Sequence, residues 1–265
     1  GEITNIWNLG VKHRNEAIKH GIKTWKDERC NTQIMNFKGK KANTIDKILD
    51  INRQHKDKFL PKKIKNNIFD WKTETNNEFF IDFETFSDIF SDFEDLPNQK
   101  ITDKIFMIGV GYCKNGKWKY KNFTSKNRSY EEEYRIMNEF VDFIKQNSYN
   151  PKLYYWCAES NFWKRSEQRQ FDRVLDFDRR ENILKNWKLN NWCDLNKIFT
   201  REPIVIKDCF NYGLKSIAKS MKKHNMIESS LESNCKSGMS AMITAWNYYN
   251  EYYNKDETII EDIKN

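Results

Sequence analysis

The stretch NNEFFIDFETFSD, residues 76–88, decides how this chain is read. Phe79, Ile81 and Phe83 alternate with Phe80, Asp82 and Glu84. A strand turns successive side chains to opposite faces, so each set of three shares a side. Asp82 and Glu84 then stand on one face, roughly 7 Å apart at about 3.3 Å of rise per residue. Ionised neighbours repel, and carboxylates on a strand need water or a cation beside them. The pair is either a solvated strand end or a metal site.

The residues after this stretch build a sheet. DKIFMIGVGYC (103–113) reads as a second, apolar strand and KWKYKNF (117–123) as a third, with Asn115-Gly116 as the hairpin turn between them. SYEEEYRIMNEFVDFIKQ (129–146) is a helix, with Ser129 and Glu132 as a capping box and Ile136, Phe140, Phe143 and Ile144 on its buried face. KLYYWCA (152–158) is a fourth strand, and helices are expected over 159–186, 194–200, 213–223 and 238–253, with another starting at 256. A meander and then βα units predict an α/β sheet with mixed strand directions, occupying 78–265.

The chain ahead of it reads differently. Residues 1–60 are expected to be helical. One helix holds Asn15 to His20 and is ended by Gly21; the other lies within 42–59, where Ile45, Ile48 and Leu49 follow i, i+3, i+4. Residues 61–77 open on Pro61 and read as a basic linker. Charge divides at the same place. Residues 1–77 hold 17 Lys and Arg against 9 Asp and Glu, while 78–265 hold 29 of each, so the net charge of +8 lies in the first part. That asymmetry fits a polyanion-binding arm on a neutral body, or a merely solvated helical surface.

Other classes fall away. The 38% hydrophobic and 15% aromatic content supports a core and argues against disorder. Six cysteines without CxxC spacing and only four histidines argue against a structural zinc site, and scattered cysteines read as reduced and intracellular. No apolar run approaches the roughly 18 residues of a membrane span. There is no GxxxxGK[ST] loop and no GxSxG elbow. The opening GEITNIW does not read as a signal peptide, and the natural protein is expected to extend further in either direction.

The segments FFIDFET, DKIFMIGVGY, KLYYWCAE, CDLNKIF and GLKSIAKSM occur in that order. Together they resemble the DEDD superfamily of ribonuclease H-like exonucleases, and within it the YprB-type family and the predicted RecB-family nucleases. The resemblance covers about residues 78–265. It implies a ribonuclease H-like fold and a metal-dependent nuclease, a 3′–5′ exonuclease acting on DNA rather than RNA. It also implies two Mg²⁺ or Mn²⁺ ions held by four acids, hard oxygen ligands that suit such ions. The first motif falls on Asp82 and Glu84. Glu159 is the acid available for the second motif, or an ordinary first-turn glutamate favoured by the helix dipole. Asp194 matches an acid near the site, or caps a following helix. Lys215 matches a segment beside the site, or is a surface lysine. The family's last acid, in a YN-x-x-D-like motif, is expected beyond Asn265; Asp256, four residues after Tyr252, and Asp262 are nearer substitutes. A chain stopping short of that acid would serve as a catalytically inactive nucleic-acid-binding or scaffold module, which is the alternative reading.

IWNLGVKHRNEAIKHGIKTW (6–25) resembles a helix-hairpin-helix, a motif whose tight turn presents backbone N–H groups to a phosphate. Gly10 takes the second glycine position, Ala17 the close-packing position and Asn8 the place of the first glycine. Lys12, His13 and Arg14 would face the phosphate. The alternative is a helical hairpin that only packs on its neighbours.

Overall fold

The structure, a computed structural model, describes residues 1–53, 56–75, 77–86, 103–173, 176–228 and 238–249. The elements in chain order are α1 (Val11–Lys19), α2 (Ala42–Arg53), β1 (Phe59–Leu60), β2 (Glu78–Phe86), β3 (Lys104–Lys114), β4 (Lys117–Thr124), α3 (Tyr130–Asn147), β5 (Lys152–Tyr155), α4 (Glu159–Arg173), α5 (Phe177–Asn186), β6 (Trp192–Asp194), α6 (Leu195–Arg201), β7 (Val205–Ile206), α7 (Leu214–Lys223) and α8 (Gly238–Tyr249). They fall into two compact units: residues 1–68 with 196–231, and residues 69–195 with 232–265.

The second unit is mixed α/β. Its five-stranded sheet has the order β4-β3-β2-β5-β6. β3 is antiparallel to both neighbours, while β2, β5 and β6 run parallel. Asn115 and Gly116 have φ of +54° and +71°, the left-handed pair that a two-residue hairpin needs. The alternation along β2 holds: Phe79, Ile81 and Phe83 are buried, Phe80 and Asp82 are exposed and Glu84 is half-buried. The buried set joins Ile105, Ile108 and Val110 of β3, Ile136, Phe140 and Ile144 of α3, Trp163 of α4 and Trp187 in one core. Phe143, expected on the same stripe, packs on that core half-buried.

At Glu84 the pairing slips. Glu84 faces Met107 and Thr85 faces Ile105, which leaves Phe106 as the extra residue of a bulge. Phe106 and Met107 are then both free to join Phe86 in a second, smaller core closed by Ala241, Met242 and Ala245 of α8. α8 therefore covers the end of the sheet face that carries Asp82 and Glu84.

Several boundaries differ from the sequence expectation. Strand β5 stops at Tyr155, because Cys157 takes a φ of +84° that no strand continues through. The helix expected over 159–186 is two helices, and Asp176 caps the second by accepting from the Asp178 N–H. The capping box of α3 is half formed. Ser129 Oγ accepts from Glu132 N at 3.2 Å, but the Glu132 carboxylate accepts from Lys126 N at 2.6 Å instead of closing back on Ser129.

The first unit is built around α2, whose Ile45, Ile48, Leu49 and Ile51 are all buried. Ile51 lies off the expected stripe yet is buried too. The short strands β1 and β7 pair antiparallel, Phe59 with Ile206 and Leu60 with Val205. That pairing groups residues 196–231 with the amino-terminal residues, a division the local sequence pattern does not show. Gly21, at φ +74°, stands just beyond α1 as its expected stop. No helix among the described residues is long and apolar enough to cross a membrane.

Candidate active site

The site residues of the second unit lie within β2 and at or just beyond the ends of β5 and β6. β2 carries Asp82 and Glu84 on the face away from the main core, opposite Gly109 and Met107 of β3. Glu84 lies against the first residue of α8: a Cβ on Gly238 would come within 3.2 Å of Glu84 Oε2. Glycine there leaves room for the carboxylate beside the first turn of α8.

Glu159 opens α4 and is only 7% exposed. Its Oε2 accepts from Ala158 N at 3.1 Å. Burial pushes its proton affinity from the ordinary 4.5 up to about 7, and the negative charges of Asp82 and Asp194 add to that. Its own and the Ala158 N–H offset part of the rise. Glu159 thus shares one electrostatic neighbourhood with Asp82 and Asp194.

Asp194, expected at the start of a helix over 194–200, is the last residue of the strand β6 directly before α6, and is buried. Its Oδ1 lies 3.3 Å from the donating Cys157 N. The left-handed Cys157 makes the chain leave β5 sharply, which aims that N–H at Asp194 and starts α4 at Glu159. A non-glycine residue in this region costs of order 1–3 kcal/mol, and such outliers cluster at functional sites. Sequence reasoning passed over Cys157, since nothing in WCAES marks a left-handed residue. It also passed over Tyr155, whose hydroxyl accepts from Ser160 Oγ at 2.8 Å. Burial raises that phenol, and the Asp194 and Glu159 charges raise it further.

Asp82, Glu84, Glu159 and Asp194 all belong to this unit, but their gathering is partial. Among the described residues no three His, Cys, Asp or Glu side chains stand close enough together to hold a metal ion. Tyr252, Asp256 and Asp262, the substitutes for a last acid, lie outside the described residues.

The remaining expected residues belong to the first unit. Lys215 is exposed on α7. Gly10 is the N-cap of α1, and Asn8 has the φ of +60° expected of a residue standing in for glycine. The element before that turn is only a 3₁₀ turn, Ile3–Asn5, in place of a first helix. His13 is engaged locally: its Nδ1 accepts from Gly10 N at 3.1 Å and its ring lies 5.1 Å from that of Phe37. Ala17 is fully buried, Lys12 exposed and Arg14 half-buried.

Comparison of the chain with protein-family models, with curated proteins and with solved structures finds no significant match.

The Glu159 shift has a stability consequence in metal-free buffer. Its folded proton affinity lies above the unfolded one, so between pH 4.5 and about 7 the folded state keeps a proton that the unfolded state has lost. Stability from this group is full below the lower value, falls as pH rises through the window and is flat above it. The loss amounts to at most about 3 kcal/mol. Thermal melts in chelator across this range should show the decline in the wild-type chain and a shallower one in Glu159→Gln. Equal slopes would contradict the assignment.

Proposed function

We propose that this chain is a ribonuclease H-like, metal-dependent nuclease that hydrolyses phosphodiester bonds in DNA as a 3′–5′ exonuclease. The observation that carries the reading is the carboxylate pair Asp82–Glu84 in β2, with a buried Glu159 whose charge is opposed by Asp82 and Asp194. The mixed five-stranded sheet with helices packed on it supports the architecture. Only the ordered sequence segments speak for strand polarity and for DNA over RNA.

The donor set suits Mg²⁺ or Mn²⁺, since every candidate is a carboxylate and mutual repulsion among carboxylates is relieved by a hard cation. Asp82 and Glu84 would hold it, with Glu159 and Asp194 assisting. Such an ion supplies an activated water and a counter-charge for the phosphate oxygens. This chain's own part is to hold Asp82 and Glu84 on a rigid strand and to fix Asp194 through the Cys157 N–H. Glu159, raised to about 7, would give up its proton more readily with a cation near. The basic first unit would contribute phosphate contacts through Lys12, Arg14 and Lys215.

One observation favours the rival reading, a non-catalytic nucleic-acid-binding module: the net charge of +8 lies in residues 1–77, apart from the candidate carboxylates. End-labelled single- and double-stranded DNA and RNA, incubated with the chain and Mn²⁺, separate the two. Shortening from the 3′ end supports the nuclease. Intact oligonucleotides that are nevertheless bound, both by this chain and by one extended at its carboxyl end, support the module.

A further inference from the structure

The sheet face that carries Asp82 and Glu84 continues outward past β3 to the edge strand β4, and there it is aromatic. Trp118 and Tyr120 of β4 pair in register with Cys113 and Gly111. Trp118 is 63% exposed and Tyr120 54%. Both rings lie down over glycine backbone in β3. A Cβ on Gly111 would stand 2.4 Å from Trp118 Cζ2, and one on Gly109 would stand 2.8 Å from the Tyr120 hydroxyl. Each ring therefore has one side against the sheet and the other outward. Phe80 of β2 extends the row: its ring lies 5.5 Å from that of Trp118 and 5.2 Å from that of Tyr154, and it is 38% exposed. The row ends at the carboxylates, whose charges act on the Tyr120 hydroxyl.

The charge along β3 and β4 is one-sided, while the face of the row also carries Glu78, Asp82 and Glu84 of β2. From Lys104 to Tyr130 the chain holds lysines and Arg128, and no acid. Lys117, Lys119 and Lys121 alternate with the two rings, so they stand on the opposite face of the edge strand, where all three are exposed. Outward rings in a row that leads to the candidate carboxylates match a chain with flat groups along it, and the lysines on the far side of the edge strand offer positive charge where such a chain passes over the edge. Base–aromatic stacking is tolerant of sequence, while lysines along an edge meet phosphates.

We propose that Phe80, Trp118 and Tyr120 form a base-stacking platform that takes single-stranded nucleic acid and leads it toward Asp82 and Glu84. The proposal rests on the nuclease reading only for its direction, toward the carboxylates. The binding itself needs unpaired bases, so a duplex without a single-stranded end is a poor ligand.

The test uses the full chain in EDTA, so that cleavage plays no part, with fluorescein-labelled oligo(dT), oligo(rU) and a blunt duplex as probes. Anisotropy should show the single strands bound more tightly than the duplex. Trp118→Ala and Tyr120→Ala should each weaken single-strand binding by about tenfold, and Trp118→Phe, which keeps a ring, should retain most of it. Ultraviolet cross-linking of the wild-type chain to oligo(dT) needs no variant, and the adduct should map to Trp118 or Tyr120. Binding indifferent to both alanine variants, or adducts confined to residues 1–53, would overturn the platform and leave the rings as covers for Gly109 and Gly111. The nuclease reading fails separately, through cleavage that survives loss of Asp82.

Discussion

On the proposed nuclease reading, Asp82→Asn should abolish Mn²⁺-dependent cleavage, lowering its rate by at least about a thousandfold, or about 4 kcal/mol of transition-state stabilisation. The amide keeps the size of the side chain and removes its charge. Asp82 is exposed on β2, so the substitution should cost within about 0.5 kcal/mol of stability. Loss of activity with an unchanged melt therefore reports on chemistry and not on folding. The same variant has a second effect. Asp82 is one of the charges that raise Glu159, so its removal should bring the Glu159 proton affinity down and flatten the pH dependence of stability. A variant that is inactive yet leaves that dependence unchanged would show that Asp82 and Glu159 do not share a site.

Glu133→Ala should destabilise the second unit by about 3–5 kcal/mol, roughly 10 °C in its melting temperature. Glu133 sits in the first turn of α3 and has no exposed surface. Its Oε1 accepts from Ile105 N at 2.9 Å, Ser166 Oγ at 2.9 Å and Arg169 Nη2 at 2.5 Å. Its Oε2 accepts from Gln170 Nε2 at 2.8 Å. One carboxylate thus ties β3, α3 and α4 together behind the strand that carries Asp82. Truncating it takes the carboxylate from a largely buried guanidinium, which keeps only the neutral acceptors Asp103 O and Ser166 Oγ, and costs three further donors an acceptor; breaking such a pair costs far more than the pair contributes over an apolar replacement. Glu133→Leu combined with Arg169→Met should accordingly be much more stable than Glu133→Ala alone. A small loss for the single variant, or no recovery in the double, would contradict the role assigned to this network.

Glu133 also shows what a sequence does and does not reveal. It stands three residues before Ile136 and seven before Phe140, on the buried stripe of α3, so its helical phase could have singled it out from Glu131 and Glu132. Its partners could not be named, since Arg169 and Ser166 come from another helix. The strands β2, β3 and β4, the hairpin turn and the helices α2 and α3 were legible because each carries its own period or turn pair. The facing of Asp82 and Glu84 was legible for the same reason. β6, β1 and β7 were not, because two or three residues hold no period and exist only through partners distant in the chain. The nearness of Glu159 to Asp82 and Asp194 likewise depends on the parallel pairing of β2, β5 and β6. So does the use made of the strained turn at Cys157.

The central claim is that these carboxylates hold a divalent cation, and Mn²⁺ titration monitored by electron paramagnetic resonance tests it most directly. The signal of hydrated Mn²⁺ should be depleted by the wild-type chain at neutral pH and should remain undiminished with Asp82→Asn. Depletion by neither chain, or equal depletion by both, would contradict the site.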